Sequence, residues 1–215
     1  MGGVSDRQLH LVRHAEVLNP EGVLYGRLPG YGLSELGHRM AEAAAHELRG
    51  ADRVAARLIV SPLLRAQQSA EPIAAALGLD PETDERLIEP TNDFEGLPRS
   101  AFGRPRYWYR FWNPFRPSWG EPYRQIAGRV REAMDDAWST TPSADGDIVM
   151  VSHQAVIWAA HRDVNGEPLF HNPAKRRCDL SSITSFERRS GRWVEIDYRT
   201  PAAGLAAEST DVGAV

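Results

Sequence analysis

The segment Asp147–Ser152, which reads DIVMVS, constrains the fold more than any other part of this sequence. Its central residues form a continuous apolar run, and such a run is typical of a strand that is buried on both faces of a sheet. Short apolar segments at Leu9–Arg13 and Arg57–Val60 are also predicted to be strands, and stretches with helical spacing separate them. This alternation predicts an α/β protein, a three-layer sandwich in which helices flank a mostly parallel central sheet.

The other elements follow from spacing and from residues that begin or end helices. Helical spacing occurs in four stretches, which are Ser34–Leu48, Ser61–Leu77, Gln125–Trp138 and about Ala155–Arg162. Ser61 with Pro62 is a helix-start signature, an N-cap followed by proline at the first helical position. Three more strands are predicted at Thr83–Ile88, Ser182–Arg188 and Arg192–Tyr198, the last two as a hairpin. The folded domain is therefore assigned to residues 1–200, and the tail 201–215 is predicted to be disordered.

The composition excludes several classes of protein. The 215 residues carry a net charge of −4, which lacks the strongly basic character of a nucleic-acid-binding domain. Cys178 is the single cysteine, so no internal disulfide can form. No apolar run reaches the roughly 18 residues that a membrane span needs. We therefore expect a cytoplasmic protein that binds neither nucleic acid nor a membrane.

Residues that can handle phosphate follow the ends of the predicted strands. Arg13 and His14 close the first strand, and Arg65 lies in the first turn of the helix after the second. Glu89 follows the third strand and His153 follows the fourth. Ligands of open α/β sheets bind beyond the carboxyl ends of the strands, so these side chains are expected to meet in one crevice if the strands are parallel neighbours.

Such a cluster is suited to phosphoryl transfer. The neutral imidazole of His14 is a nucleophile toward phosphorus, and the two arginines with the second histidine can neutralise the phosphoryl oxygens. The same cations lower the pKa of His14 and keep it neutral at about pH 7. Glu89 can protonate the leaving oxygen and later accept a proton from the attacking water. Because the sequence has no cluster at metal-ligand spacing, we expect no metal and no other cofactor.

Four segments, in family order, resemble the signature segments of the phosphoglycerate-mutase-like branch of the histidine phosphatase superfamily. They are LHLVRHAE (Leu9–Glu16), SPLLRAQQSA (Ser61–Ala70), RLIEPTNDFEG (Arg86–Gly96) and IVMVSHQAVI (Ile148–Ile157). The resemblance implies that His14 is the nucleophile, that Glu89 is the proton donor, and that the phosphate pocket consists of Arg13, Arg65 and His153. It also implies substrate contacts from Asn19, Tyr25, Gly26 and Gln154.

The sequence departs from the family pattern at several positions. Ala15 and Gln154 replace the glycines that usually follow the two histidines, and Phe94 stands where tryptophan is usual. A methyl group at Ala15 is tolerable unless the backbone there needs a positive φ. Together the departures argue against close kinship with the glycolytic mutases.

The stretch from Pro98 to Pro122 is rich in aromatic residues and arginine, and we interpret it as an insertion. One interpretation is that its aromatic side chains pack the insertion onto the core, since they bury large areas. The other is a lid, in which some aromatic residues contact the organic part of the substrate and one or two arginines reach a second anionic group. The lid predicts that a bulky or aromatic phosphate ester is preferred over a three-carbon phosphoglycerate.

The predicted function is hydrolysis of a small phosphorylated substrate, with two alternatives. A phosphotransfer mutase would use the same residues but would hold the phosphohistidine until a second acceptor binds. A binding module of the same fold would have lost turnover, and the intact five-residue cluster argues against it. Formation of a homodimer is left open.

Overall fold

The computed structural model describes residues 7–51, 53–98, 104–105, 109, 120–142 and 146–209. The described residues form one six-stranded sheet with the order β3-β2-β4-β1-β5-β6. The strands are β1 Leu9–Arg13, β2 Ala55–Val60, β3 Pro81–Thr83, β4 Asp147–Ser152, β5 Ile183–Arg189 and β6 Arg192–Arg199. The first four strands in chain order are parallel, and β5 and β6 form an antiparallel hairpin beside β1. The predicted α/β fold with a mostly parallel sheet is confirmed.

Helices cover both faces of this sheet. They are α1 Glu35–Arg49, α2 Leu64–Leu77, α3 Tyr123–Thr140 and α4 Gln154–Val164. Alternate residues of the central strands belong to two apolar clusters: Ile148 and Met150 pack with α3 and α4, whereas Val149 and Val151 pack with α1 and α2. The continuous apolar run of β4 is thus explained, because each of its faces is covered by a layer of helices. No helix in the described part of the chain is long and apolar enough to span a membrane.

The register of the central strands brings their carboxyl ends to one edge. Arg13 pairs with Ser152 across β1 and β4, and Val60 pairs with Val151 across β2 and β4. Backbone hydrogen bonds continue one residue beyond the strands, from His14 N–H to the Ser152 carbonyl at 2.9 Å and from Ser61 N–H to the Val151 carbonyl at 3.0 Å. The residues that follow β1, β2 and β4 are therefore neighbours.

Two element boundaries differ from the sequence predictions. Helix α2 begins at Leu64 with Leu63 as its N-cap, so the prediction that Ser61 caps it is wrong. The reason is that the Ser61 hydroxyl is hydrogen-bonded to His153 Nε2, at 2.7 Å. Strand β3 is Pro81–Thr83 rather than Thr83–Ile88. The Asp84 carboxylate accepts a hydrogen bond from the Arg86 backbone N–H, and this starts a 3-10 turn that ends the strand.

The segment after Pro201 also differs from its prediction. Ala203–Glu208 forms a 3-10 helix, and Ala202 is buried in an apolar cluster with Ala15 and Met40. The prediction of disorder therefore does not hold for residues 201–209, and residues 210–215 lie outside the described part of the chain. Packing of Ala202 and Leu205 in the apolar cluster that includes Met40 of α1 explains this order.

Most of the predicted insertion also lies outside the described residues. The exceptions between residues 98 and 120 are Arg104, Pro105 and Tyr109, all of which are exposed. The aromatic residues on which the lid interpretation depends lie outside them; these are Phe102, Tyr107, Trp108, Phe111, Trp112, Phe115 and Trp119. Both interpretations of the insertion remain predictions.

Candidate active site

His14 follows β1 directly, and its ring is almost completely buried. Its Nδ1 atom lies 2.8 Å from the carbonyl oxygen of Ala15. Because a carbonyl oxygen only accepts hydrogen bonds, Nδ1 carries the proton and Nε2 keeps a lone pair in the neutral ring. Burial lowers the pKa of His14 well below its usual value, and the positive charges of Arg65 and Arg13 lower it further. This lowered pKa favours the neutral imidazole, in which Nε2 keeps its lone pair.

His153 follows β4 and lies beside His14, with 5.1 Å between the two ring centroids. Its Nε2 atom is hydrogen-bonded to the Ser61 hydroxyl, and its Nδ1 atom lies 3.4 Å from Glu89 Oε2. Burial is also the main cause that lowers the pKa of His153, followed by the charge of Arg65. A second neutral imidazole thus faces the same space as the first.

Two arginine side chains are buried beside the histidines, each only 1% exposed. Arg13 Nη1 donates to the Cys178 carbonyl at 2.6 Å, and Arg65 Nη2 donates to the Gly26 carbonyl at 2.7 Å. The Arg65 guanidinium also lies over the ring of Tyr25, 4.8 Å from its centroid. These carbonyl and ring contacts orient the two guanidinium groups, whose planar donors are suited to binding an anion.

Ser69 connects the loop after His14 to the helix that carries Arg65. Its hydroxyl accepts a hydrogen bond from the Ala15 backbone N–H at 3.0 Å and donates one to the Arg65 carbonyl at 2.7 Å. Ala15 itself has no positive φ, so its methyl group is accommodated without backbone strain. The sequence reasoning missed Ser69, although its position one turn after Arg65 in α2 was a usable signal.

Glu89 is the carboxylate of this cluster, and it is 3% exposed. Its Oε1 atom is buried and has no hydrogen-bond partner among the residues that the structure describes. Burial raises the pKa of Glu89, and the charges of Arg65, Arg176 and Arg13 oppose this rise. A carboxyl group with a raised pKa holds its proton to a higher pH, as a general acid must.

The residues that were predicted to contact substrate lie at different places around this cluster. Tyr25 and Gly26 contact Arg65 directly, as described above. Gly26 has φ +40°, a conformation that favours glycine, and a Cβ there would lie 2.2 Å from Glu95 Oε1 and would require that side chain to move. Gln154 begins α4, and its Nε2 donates to the Cys178 carbonyl at 3.4 Å.

Asn19 has a structural role in this arrangement. Its amide nitrogen donates to the Val23 carbonyl at 2.9 Å, and its amide oxygen accepts from the Val23 backbone N–H at 3.2 Å. The side chain therefore braces the loop that leads to Tyr25 and Gly26. The prediction that Asn19 contacts phosphate stays a prediction.

Arg176 is a second residue of this region that the sequence reasoning missed. The positive charge of Arg176 interacts with the charges of Glu89 and Arg13. The residue lies in an irregular segment after α4. Such a segment has no periodicity from which a site residue could be recognised. Within the described ranges, no group of three or more His, Cys, Asp or Glu residues could hold a metal ion.

Known proteins resemble this chain in sequence. The sequence model of the histidine phosphatase superfamily (branch 1) matches residues 9–200. Uncharacterized protein Rv0525 of Mycobacterium tuberculosis is 46% identical over 202 residues, which cover 92% of this chain and 98% of that protein. A 2,3-bisphosphoglycerate-dependent phosphoglycerate mutase of Thermoplasma acidophilum is 33% identical over 160 residues, 70% of this chain and 72% of the mutase.

Solved structures agree as well. The mycobacterial glucosyl-3-phosphoglycerate phosphatase Rv2419c superposes with a TM-score of 0.71 at 27% identity, over 88% of this chain and 97% of that chain. The phosphoserine phosphatase of Entamoeba histolytica, in complex with 3-phosphoglyceric acid, gives a TM-score of 0.74 at 21% identity, over 90% and 96% of the two chains. This second likeness concerns the fold alone.

Proposed function

Because this chain belongs to the histidine phosphatase superfamily, we propose that it hydrolyses phosphate monoesters through a phosphohistidine on His14, without a metal ion. The observation that carries the proposal is the hydrogen bond from His14 Nδ1 to the Ala15 carbonyl. It leaves the Nε2 lone pair available in a pocket that two buried arginines make positive.

In the first step, the Nε2 lone pair attacks phosphorus and the bond to the leaving oxygen breaks. Glu89 transfers its proton to that oxygen, so the leaving group departs as a neutral alcohol. Arg13 and Arg65 neutralise the charge that spreads over the phosphoryl oxygens. The imidazole becomes positively charged on phosphorylation, and the Ala15 carbonyl stabilises the charged ring through Nδ1–H.

In the second step, water replaces the alcohol. The Glu89 carboxylate accepts a proton from the water, the water oxygen attacks phosphorus, and the bond from Nε2 to phosphorus breaks. The products are inorganic phosphate and a neutral His14, and Glu89 is again protonated. The raised pKa of Glu89 supports both of its roles, because a carboxyl group whose pKa lies nearer to neutrality can both give and accept a proton.

The test is to trap the intermediate. Turnover of a radiolabelled ester, stopped by rapid quenching, should leave label on His14 in a linkage that is labile to acid and stable to alkali. His14→Ala should abolish both labelling and turnover, whereas His38→Ala, at an exposed position of α1, should leave both unchanged. A His14→Ala protein that keeps a tenth of the wild-type rate would refute the mechanism.

A phosphoglycerate-mutase-type phosphotransferase is the second candidate, and the likeness to the Thermoplasma acidophilum mutase favours it. The two candidates differ in what accepts the phosphoryl group from His14. Assays with 3-phosphoglycerate, with and without a 2,3-bisphosphoglycerate primer, separate them: a mutase forms 2-phosphoglycerate, whereas a phosphatase releases phosphate. A non-catalytic binding module would do neither, on these or on generic phosphomonoesters.

A further inference from the structure

The hydroxyl of Ser61 and the ring of His153 are hydrogen-bonded to each other, and both residues are completely buried. Ser61 follows β2, and its backbone is held on both sides. Its N–H donates to the Val151 carbonyl at 3.0 Å, and its carbonyl oxygen accepts from Gln67 Nε2 at 2.7 Å. Its hydroxyl oxygen lies 2.7 Å from His153 Nε2 and has no other hydrogen-bond partner in the part of the chain that the structure describes.

The direction of this hydrogen bond follows from what each atom can donate or accept. A hydroxyl proton that finds no acceptor in a buried place costs free energy, and Nε2 is the acceptor within reach. The Ser61 hydroxyl therefore donates to Nε2, which contributes its lone pair. Burial lowers the pKa of His153 well below its usual value and favours the neutral ring, whose single proton is then on Nδ1.

The Nδ1 atom of His153 lies near the proposed acid and the proposed nucleophile. It is 3.4 Å from Glu89 Oε2, and the centroid of the His153 ring is 5.1 Å from that of His14. Nδ1 is buried and forms no hydrogen bond with any residue in the described ranges. Because a buried N–H without an acceptor is costly, this donor is suited to an oxygen of a phosphoryl group that binds beside His14.

We propose that Ser61 is a positioning residue that holds His153 in the tautomer with its proton on Nδ1, so that this N–H donates to the bound phosphoryl group. Ser61 acts on the substrate only through the His153 ring. The inference rests on the proposed phosphatase function and adds to it the residue that decides which atom of His153 is the donor.

The opposite tautomer would interfere with the acid. With the proton on Nε2, the lone pair of Nδ1 would lie 3.4 Å from the Glu89 carboxyl group. That carboxyl group is protonated when it acts as a general acid, so it could donate to the lone pair instead of to the leaving oxygen. The Ser61 hydroxyl prevents this diversion of the proton, and its loss should matter most for esters with a poor leaving group.

The first measurement identifies the tautomer and needs no substrate. In protein whose histidines carry the NMR-active nitrogen isotope, long-range proton–nitrogen correlation distinguishes a protonated ring nitrogen from one with a lone pair. The variant His153→Gln identifies the signals of His153. Near neutral pH, the wild-type protein should have Nδ1 protonated and a lone pair on Nε2. A proton on Nε2, alone or on both nitrogens, would overturn the proposal.

Two substitutions then test the role of the hydroxyl. Ser61→Ala removes the donor, so the ratio of the Nδ1–H to the Nε2–H tautomer should fall by about fivefold or more, and kcat/KM for an alkyl phosphate by about tenfold. The kcat/KM for p-nitrophenyl phosphate should fall less. Ser61→Cys keeps a side chain of similar size whose S–H is a weaker donor, so its tautomer ratio and kcat/KM should lie between those of Ser61→Ala and the wild type.

The matched control is Ser185→Ala. The Ser185 hydroxyl is also buried and also hydrogen-bonded to a histidine ring, that of His10, at 2.9 Å from Nδ1. His10 lies near the amino end of β1, away from the edge of the sheet where the candidate active site lies. Ser185→Ala should therefore leave both the tautomer of His153 and kcat/KM unchanged.

The two readouts together separate this inference from the proposed function. If Ser61→Ala lowers kcat/KM while His153 keeps its wild-type tautomer, Ser61 has only a structural role and the proposal fails. It also fails if the tautomer changes but turnover does not, or if neither changes. If Ser61→Ala does not fold, the wild-type tautomer and Ser61→Cys decide in the same way. If the wild-type protein hydrolyses no ester but the tautomer depends on Ser61 as expected, the phosphatase proposal fails and the control of His153 by Ser61 stands.

Discussion

Replacement of Glu89 by glutamine tests the mechanism most sharply, because it removes an acid and keeps the shape of the side chain. The wild-type carboxyl group is buried, and its Oε1 atom has no protein partner in the described structure. Bulk water therefore cannot replace the proton that the amide is unable to give. A general acid contributes about 10²–10⁴ in rate, or about 3–5 kcal/mol, and the whole of this contribution should be lost for a poor leaving group.

The assay is kcat/KM for a series of phosphate esters that differ in the pKa of the leaving alcohol. We expect Glu89→Gln to reduce hydrolysis of alkyl phosphates by about 10²–10⁴, and that of p-nitrophenyl phosphate, whose phenolate leaves unaided, by roughly tenfold or less. Equal losses across the series would mean that Glu89 has a structural role or that Glu95 is the true acid. Glu95→Gln is the matched variant, since the Glu95 carboxylate accepts the Arg27 backbone N–H at 2.9 Å.

The same variant should change the dependence of stability on pH. A carboxyl group whose pKa is raised in the folded state binds its proton more tightly there than in the unfolded chain. The free energy of unfolding therefore falls as the pH rises from the unfolded pKa, about 4.3, towards the folded pKa. Glutamine does not ionise, so the Glu89→Gln variant lacks this fall in the free energy of unfolding. The Tm of Glu89→Gln should be higher than that of the wild type at about pH 7, and the difference between the two Tm values should shrink towards about pH 4. A lower Tm at neutral pH would contradict this reasoning.

Three further predictions concern the support of the site, the absence of a metal and the insertion. Ser69→Ala leaves the buried Ala15 N–H without its partner and should lower the free energy of unfolding in urea by about 1–3 kcal/mol. The control Ser139→Ala, at an exposed position, should lower it much less. EDTA should leave kcat unchanged and added magnesium should not raise it; a loss on chelation that one divalent ion restores would refute metal independence. If the insertion is a lid, Trp108→Ala and Trp112→Ala should lower kcat/KM for naphthyl phosphate relative to 3-phosphoglycerate; an unchanged ratio with a lower Tm would indicate core packing.

Much of the fold could be predicted because the central strands are rich in apolar residues and β4 has an unbroken apolar run. The segment Asp147–Ser152 was predicted with the bounds that the structure has. The errors arose where one side-chain hydrogen bond overrides the local pattern. The Ser61 hydroxyl contacts His153 instead of capping a helix, and the Asp84 carboxylate ends β3 early. The partner of Ser61 lies 92 residues away in the sequence, so no local signal could reveal it.

The structure brings together the five residues predicted from strand ends, although Glu89 reaches the cluster by a different route. It follows a 3-10 turn rather than a strand, and the Ser152 hydroxyl holds this turn through the Leu87 carbonyl at 2.7 Å. Arg176 could not be predicted, because tertiary contacts alone bring its irregular segment to the site. The five residues of the cluster could thus be assigned from sequence, whereas Arg176 needed the structure.

The packing of Ala202 has a consequence for where this protein can be shortened. Ala202 shares an apolar cluster with Ala15, whose carbonyl oxygen accepts the hydrogen bond from His14 Nδ1. The family match ends at residue 200, so a chain trimmed to that boundary would lack Ala202 and the 3-10 helix after it. Such a chain would expose one side of the loop that orients His14. The end of the family match is therefore not the end of the packed structure, and deletions or fusions near the carboxyl terminus should be placed beyond residue 209.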